Sequence, residues 1–221
     1  MSDTNTHIAI ILDRTGSMDP IRDDIIGGFN TFLSDQQKES GEATLTLVQF
    51  DAEDPYEVIH NYADIKNVDP LSRDTYVPRA ATPLLDAIGR GINDLEHRLS
   101  KLPDAEKPGG VVFVIITDGQ ENASREFRRE NIVKMIEEKQ KSEDWQFVFL
   151  SADLDSIGDA ERYGFTEGAV MSYDKDAGGT AHMMASLHGH VANYRARRTR
   201  TVGFTDEDRG KQRSEKKRKK K

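Results

Sequence analysis

Two short runs of this sequence are apolar at nearly every position, and each stops on an aspartate. Ile8–Leu12 runs into Asp13, and Val111–Thr117 (VVFVIIT) runs into Asp118. A strand with one face in water alternates polar and apolar residues, whereas an unbroken apolar strand is covered on both faces, as in a parallel sheet. Ala43–Phe50 and Gln146–Ser151 read as further strands, and Tyr56–His60 and Ala169–Ser172 as weaker ones. Tyr56–His60 is short and lies near acids, which fits an edge position.

Helical repeats lie between these strands. Ile21, Ile25, Phe29 and Phe32 recur every three or four residues, with Asp19 before Pro20 as the expected N-cap and first-turn proline. Leu84 or Leu85, Ile88, Ile92, Leu95 and Leu99 form a second stripe, begun by Thr82-Pro83. A third helix is expected over about 125–141, on Ile132, Val133 and Ile136. A short fourth begins at Ser156 with Asp159 in capping-box spacing, and a last one spans about 180–198 with Met183, Met184, Leu187, Val191 and Tyr194 buried. Such alternation predicts a doubly wound α/β fold: a mostly parallel central sheet, one antiparallel edge strand, and helices on both faces. The proline-bearing segment Asp51–Ala81 breaks the rhythm and reads as the edge strand plus a long loop. The boundaries expected are a single domain over 1–203 and a basic extension over 204–221, with little fixed structure from Asp206 onward.

Composition narrows the function classes. The 221 residues contain no cysteine, which removes disulfides, thiol catalysis and thiolate metal sites, and accords with a reducing, cytoplasmic setting. No apolar run approaches the ~20 residues of a membrane span, and the N-terminal run is too short for a signal peptide. The net charge of -8 is unevenly spread. Lys211–Lys221 holds eight Lys/Arg and one acid, leaving 23 bases against 38 acids in residues 1–210, a net of -15. An acidic body argues against a duplex-binding face and suits a divalent cation better.

In a doubly wound fold, ligands bind beyond the carboxyl ends of the strands. There the sequence sets Asp13-Arg14-Thr15-Gly16-Ser17 after the first strand, Thr82 before the second helix and Asp118-Gly119 after the VVFVIIT run. Carboxylate and hydroxyl oxygens, without imidazole or thiolate, suit a hard cation such as Mg²⁺ or Mn²⁺. Thr15 and Ser17, two apart in a turn, are placed to reach one ion, with Gly16 expected to relieve the tight backbone. Each residue alone has a plainer explanation: a β-turn for Asp13, a helix cap for Thr82, a turn for Asp118-Gly119.

Taken together, Asp13-x-Thr15-x-Ser17, Thr82 and Asp118 resemble the metal-ion-dependent adhesion site (MIDAS) of von Willebrand factor type A (VWA) domains. The family pattern is Asp-x-Ser-x-Ser followed by a distant Thr and a distant Asp, and Thr15 departs from it while keeping the hydroxyl. The resemblance covers about residues 6–198. Asp118-Gly119-Gln120-Glu121-Asn122 and Ala81-Thr82-Pro83-Leu84 look like the stand-alone intracellular members of bacteria and phages. It implies Thr15 and Ser17 as direct ligands, Thr82 direct or through water, and Asp13 and Asp118 largely through water. It further implies a non-enzymatic module that captures a partner's Asp or Glu on the ion. In related intracellular members the partner is often a ring-forming ATPase or part of a larger assembly.

Two alternatives follow from the same residues. Asp13-Arg14-Thr15 is similar to the phosphorylated-aspartate motif of haloacid-dehalogenase-like phosphotransferases, with Asp13 as nucleophile, although no suitably placed Lys is evident near residues 82–118 and Thr82 would go unexplained. The basic tail reads as a solvated extension or as a salt-sensitive tether for nucleic acid or acidic protein. No phosphate-loop motif exists, and His188 and His190, two apart on one helix, face different ways. Arg125, Arg128 and Arg129 are candidates for rim contacts with an acidic partner.

Overall fold

The structure, a computed structural model, describes residues 5–142, 145–153, 160 and 162–211. Six strands form one sheet: β1 (Thr6–Asp13), β2 (Ala43–Phe50), β3 (Glu57–Asp64), β4 (Val111–Thr117), β5 (Trp145–Ser151) and β6 (Val170–Ser172). Their order is β3-β2-β1-β4-β5-β6, all parallel except β3, which pairs antiparallel with β2 at the edge. The four longer helices are α1 (Arg22–Lys38), α2 (Leu84–Lys101), α3 (Arg129–Ser142) and α4 (Ala177–Arg195).

The unbroken apolar runs are explained by burial on both faces. Ile8, Ile10 and Leu12 of β1, with Val112, Val114 and Ile116 of β4, pack into a core with α1 and α4. The intervening Ala9 and Ile11, with Val111, Phe113 and Ile115, pack into a second core with α2 and α3. Each of these side chains is almost wholly removed from water, a gain of roughly 1.5–3 kcal/mol per large aliphatic residue. β1 and β4 are neighbours, in register from His7–Val111 to Leu12–Ile116. The chain leaves β1 toward β2 on one side while β4 continues the sheet on the other, so the crevice at their carboxyl ends is the topological switch point.

Several element starts differ from expectation. Asp19 does not cap α1: it lies with Pro20 inside a 3-10 helix over Gly16–Ile21, and α1 begins only at Arg22. The third helix begins at Arg129 rather than near Arg125, because backbone N–H groups of Arg125, Glu126 and Phe127 turn instead to the Asp86 carboxylate. The last helix starts earlier, at Ala177, capped by Asp176, whose side chain accepts the Gly179 N–H at 2.9 Å. The helix expected from Ser156 lies outside the described residues.

The chain stays packed past Gly203. Phe204 is buried, its N–H bonds Gly168 O at 2.7 Å, and a short helix covers 206–211. Asp208 accepts from Ser186 Oγ (3.0 Å) and pairs with His190 Nε2 (2.9 Å), both on α4. The expected loss of structure from Asp206 therefore does not occur before residue 211. His188 instead meets Gln36 of α1, so the two histidines do face different partners.

Candidate metal centre

All the sequence-flagged oxygens meet at the switch point. Asp13, at the end of β1, is fully buried. Its Oδ1 accepts the Thr15 N–H at 2.7 Å and its Oδ2 accepts the hydroxyl of Thr117, the last residue of β4, at 2.6 Å. The first bond folds the chain back into the turn that carries Thr15 and Ser17. Their hydroxyls lie 3.1 Å apart, and Ser17 Oγ donates to Asp118 Oδ1 at 2.6 Å. Thr82 arrives from the other side: a Cβ built on Gly119 would sit 3.7 Å from both Ser17 Oγ and Thr82 Oγ1. Both hydroxyls therefore lie beside Gly119.

The helix-cap reading of Thr82 does not hold. Pro83 occupies the N-cap position of α2 and the first turn is capped from outside, Glu121 Oε2 accepting the Leu85 N–H (3.0 Å) and Ser124 Oγ the Asp86 N–H (3.1 Å). Asn122 holds Thr82 itself, taking the Thr82 N–H on Oδ1 at 2.9 Å and returning its own N–H to Thr82 O at 3.1 Å. The segment Asp118–Ser124 is therefore both a wall of the site and the brace of the helix behind it.

Gly16 is not where the turn is strained. A Cβ there would make an ordinary contact, 3.6 Å from Ala80 O. The left-handed residue is Ala80 (φ 56°), whose carbonyl accepts the Gly16 N–H at 3.1 Å. The long loop after β3 thus reaches over the site, as expected of Asp51–Ala81, and two of its contacts hold the β1 end. Tyr76 OH donates to Asp13 O at 2.7 Å, and the Arg79 N–H to Arg14 O at 2.9 Å. Arg14, the variable position of the motif, turns away and is buried against Asp51 (2.7 Å), Gln49 (3.3 Å) and Glu57.

Burial pushes the Asp13 carboxyl up to about 6, the bonds from Thr117 and Thr15 working against that rise and Asp118 adding to it. A nearby cation would favour its ionised form. Four residues of the site escaped sequence reasoning: Thr117, Tyr76, Tyr173 and Lys175. Tyr173 OH donates to Thr117 O at 3.0 Å, and the Lys175 ammonium contacts Asp118 Oδ2. Thr117, at a strand end, carried a legible signal, whereas the other three come from segments whose approach depends on the fold. Among the described residues no group of three or more His, Asp or Glu side chains is placed to hold a metal. The donors on offer are hydroxyls backed by two carboxylates, a set that fits a hard, partly hydrated dication.

The architecture is that of VWA domains. The chain is similar to a von Willebrand factor type A protein of Catenulispora acidiphila (13% identity, TM-score 0.58) over 86% of its own length and 43% of that chain. It is similar also to proximal thread matrix protein 1 of the mussel byssus, solved with a zinc-occupied MIDAS motif (16%, 0.56, covering 85% and 46%). A third likeness is to the manganese-loaded TRAP protein of Plasmodium vivax (12%, 0.55, covering 79% and 70%). The chain spans less than half the length of the first two, and identities this low concern the fold. No protein-family model and no curated protein matches the sequence.

Proposed function

We propose that this chain is a non-enzymatic, divalent-metal-dependent protein-binding module of the MIDAS kind. Thr15, Ser17 and Thr82 would hold Mg²⁺ or Mn²⁺ through their hydroxyls, with Asp13 and Asp118 supplying charge largely through water. The observation that carries this reading is the convergence of Ser17, bonded to Asp118, and Thr82 beside Gly119. Asp13 supports its assigned role, since both its oxygens are engaged inside the protein and its charge acts from beneath. A bound ion supplies a local positive charge, and a partner's Asp or Glu would complete its coordination. Arg125 and Arg128, exposed on the adjoining loop, and Arg129, over the Tyr163 ring, would offer further contacts to acids.

The finer parts of this reading are a stand-alone bacterial or phage type, a cytoplasmic location supported by the absence of cysteine, and a partner such as a ring-forming ATPase or larger assembly. Among the described residues no helix is long and apolar enough to cross a membrane. Calorimetry with Mg²⁺ and Mn²⁺ tests the centre: Asp13→Ala and Ser17→Ala should each lose binding by tenfold or more. Equal affinity in wild type and Asp13→Ala rejects the assignment. For the partner, chelation should release it, whereas deleting Lys211–Lys221 should not.

Lys175 beside Asp118 meets one requirement of a second reading, since a phosphotransferase of haloacid-dehalogenase type needs a lysine near its aspartates. Against it, Asp13 is wholly buried with both oxygens hydrogen-bonded, a poor posture for in-line attack on phosphorus. Asp13-dependent release of phosphate from a phosphate monoester with Mg²⁺ would establish the enzyme instead.

A further inference from the structure

Buried carboxylates in this protein are satisfied in two different ways. Asp86 takes three backbone N–H groups, from Arg125, Glu126 and Phe127, at 2.8–2.9 Å. Asp13 is held by Thr15 and Thr117. These donors are part of the fold. The Asp118 side chain is equally buried, at 0% exposure, but among the described residues its Oδ2 has no hydrogen-bond partner and contacts the ammonium of Lys175, a side chain that is itself 38% exposed. A buried carboxylate left without a counter-charge is costly, so this contact matters to the protein without an ion.

Lys175 is also aimed by its surroundings. Two residues before it, Tyr173 is buried and bonded to Thr117 O; one residue after it, Asp176 caps α4. The backbone on both sides is tied down, and the flexible four-carbon stem is what has freedom to move. The other oxygen of Asp118 accepts from Ser17, one of the proposed ligands, so a single carboxylate joins the ammonium to the proposed metal site. Two cations competing for one buried carboxylate repel each other.

We propose that Lys175 is a resident cation: it neutralises Asp118 when no metal is bound, gives way when one arrives, and so sets the affinity of the site. This rests on the metal-site reading above. A site lacking the lysine would hold its ion more tightly, and one retaining it releases the ion more readily. Metal occupancy, and with it partner capture, would then respond to divalent-ion concentration.

The test is Mn²⁺ binding by calorimetry to the full chain, as wild type, Lys175→Met, Lys175→Arg and Asp13→Ala, with melting followed in chelator and in excess Mn²⁺. Lys175→Met should bind Mn²⁺ about tenfold more tightly, and Lys175→Arg within threefold of wild type. In chelator Lys175→Met should melt below wild type, and Mn²⁺ should raise its midpoint by more. Lys175→Gln serves if the Met variant does not fold. Wild type that binds Mn²⁺ through Asp13, with the Met or Gln variant binding equally or more weakly, overturns the role of Lys175 alone. Uptake of Mn²⁺ by none of the proteins overturns the metal site together with it.

Discussion

His7 and Asp13 lie at opposite ends of β1, both fully buried, and their proton equilibria act on stability in opposite directions. Burial, helped by Arg98, brings His7 down from 6.5 to about 3; its Nδ1 meets Thr44 Oγ1 at 2.8 Å and its ring stacks on Tyr62. Between those values the unfolded chain binds a proton that the folded chain refuses. Stability is therefore lost as pH falls through that window, by up to about 1.4 kcal/mol per unit. For Asp13, raised from 3.8 to about 6, the folded chain keeps a proton that the unfolded one has released. Without an ion, that term lowers stability as pH rises through the same region. His7→Phe keeps an aromatic ring on Tyr62 and removes the first term. Urea unfolding in chelator at pH 4.5 and 6.5 should show wild type losing roughly 2 kcal/mol more on acidification than the variant. A parallel pH response in the two proteins would remove His7 as the cause.

At the scale of elements, the loop after β4 and the start of α2 form one unit. Glu121 and Ser124 cap the helix, Asn122 grips Thr82, and Asp86 reaches back to three amides of the loop. Gly89 completes the fit, since a Cβ there would come within 2.5 Å of the Phe127 ring. Gly89→Ala should cost about 1–3 kcal/mol by forcing Phe127 off the helix. Asp86→Ala should cost about 3 kcal/mol, as three charge-assisted bonds from partly buried amides are lost together. Hydrogen exchange should then quicken at Arg125–Phe127 while β1 amides stay protected, and the substitution should also weaken Mn²⁺ binding through Thr82. Unchanged exchange in Asp86→Ala would mean that the loop is held by something else.

The whole molecule combines an acidic body with a basic end, and the two proposed binding routes answer salt differently. Salt screens both the repulsion of an acidic partner by a body of net -15 and its attraction to the rim arginines, so capture at the metal centre should change little with added salt. Binding through Lys211–Lys221 should weaken steeply instead. Salt titration of any partner therefore separates the routes, and steep weakening by salt in the tail-deleted chain would count against the metal route. The packed end of the chain is tested by truncation. Ending at 211 should leave the melting temperature near that of the full chain. Ending at 203 removes Phe204 and the Asp208 contacts with Ser186 and His190 and should lower it by several degrees.

The sequence by itself determined the sheet and its ligand end. Strands covered on both faces have no polar positions, so VVFVIIT and Ile8–Leu12 declared themselves, and the aspartates that close them had to lie at one edge. The antiparallel edge at β3 was legible for the opposite reason, its more polar pattern, although the strand runs on past His60 to Asp64. The caps of α2 and the start of α3 were not legible, because their N–H groups find their partners 36–41 residues away. Thr82-Pro83 marked the start of α2 at Leu84 although Thr82 does not cap it, whereas Asp19-Pro20 fell inside a 3-10 turn and α1 began only at Arg22. Phe204 and Asp208 sit in a polar stretch that looks unstructured until α4 supplies His190 and Ser186. Lys175 is the extreme case: one lysine among many in sequence, it meets a buried carboxylate only because β6 and β4 lie on the same side of the switch point, with β5 between them. Burial patterns repeat along a strand or helix and so can be read locally, whereas a single charge acquires its role from what the folded chain places beside it.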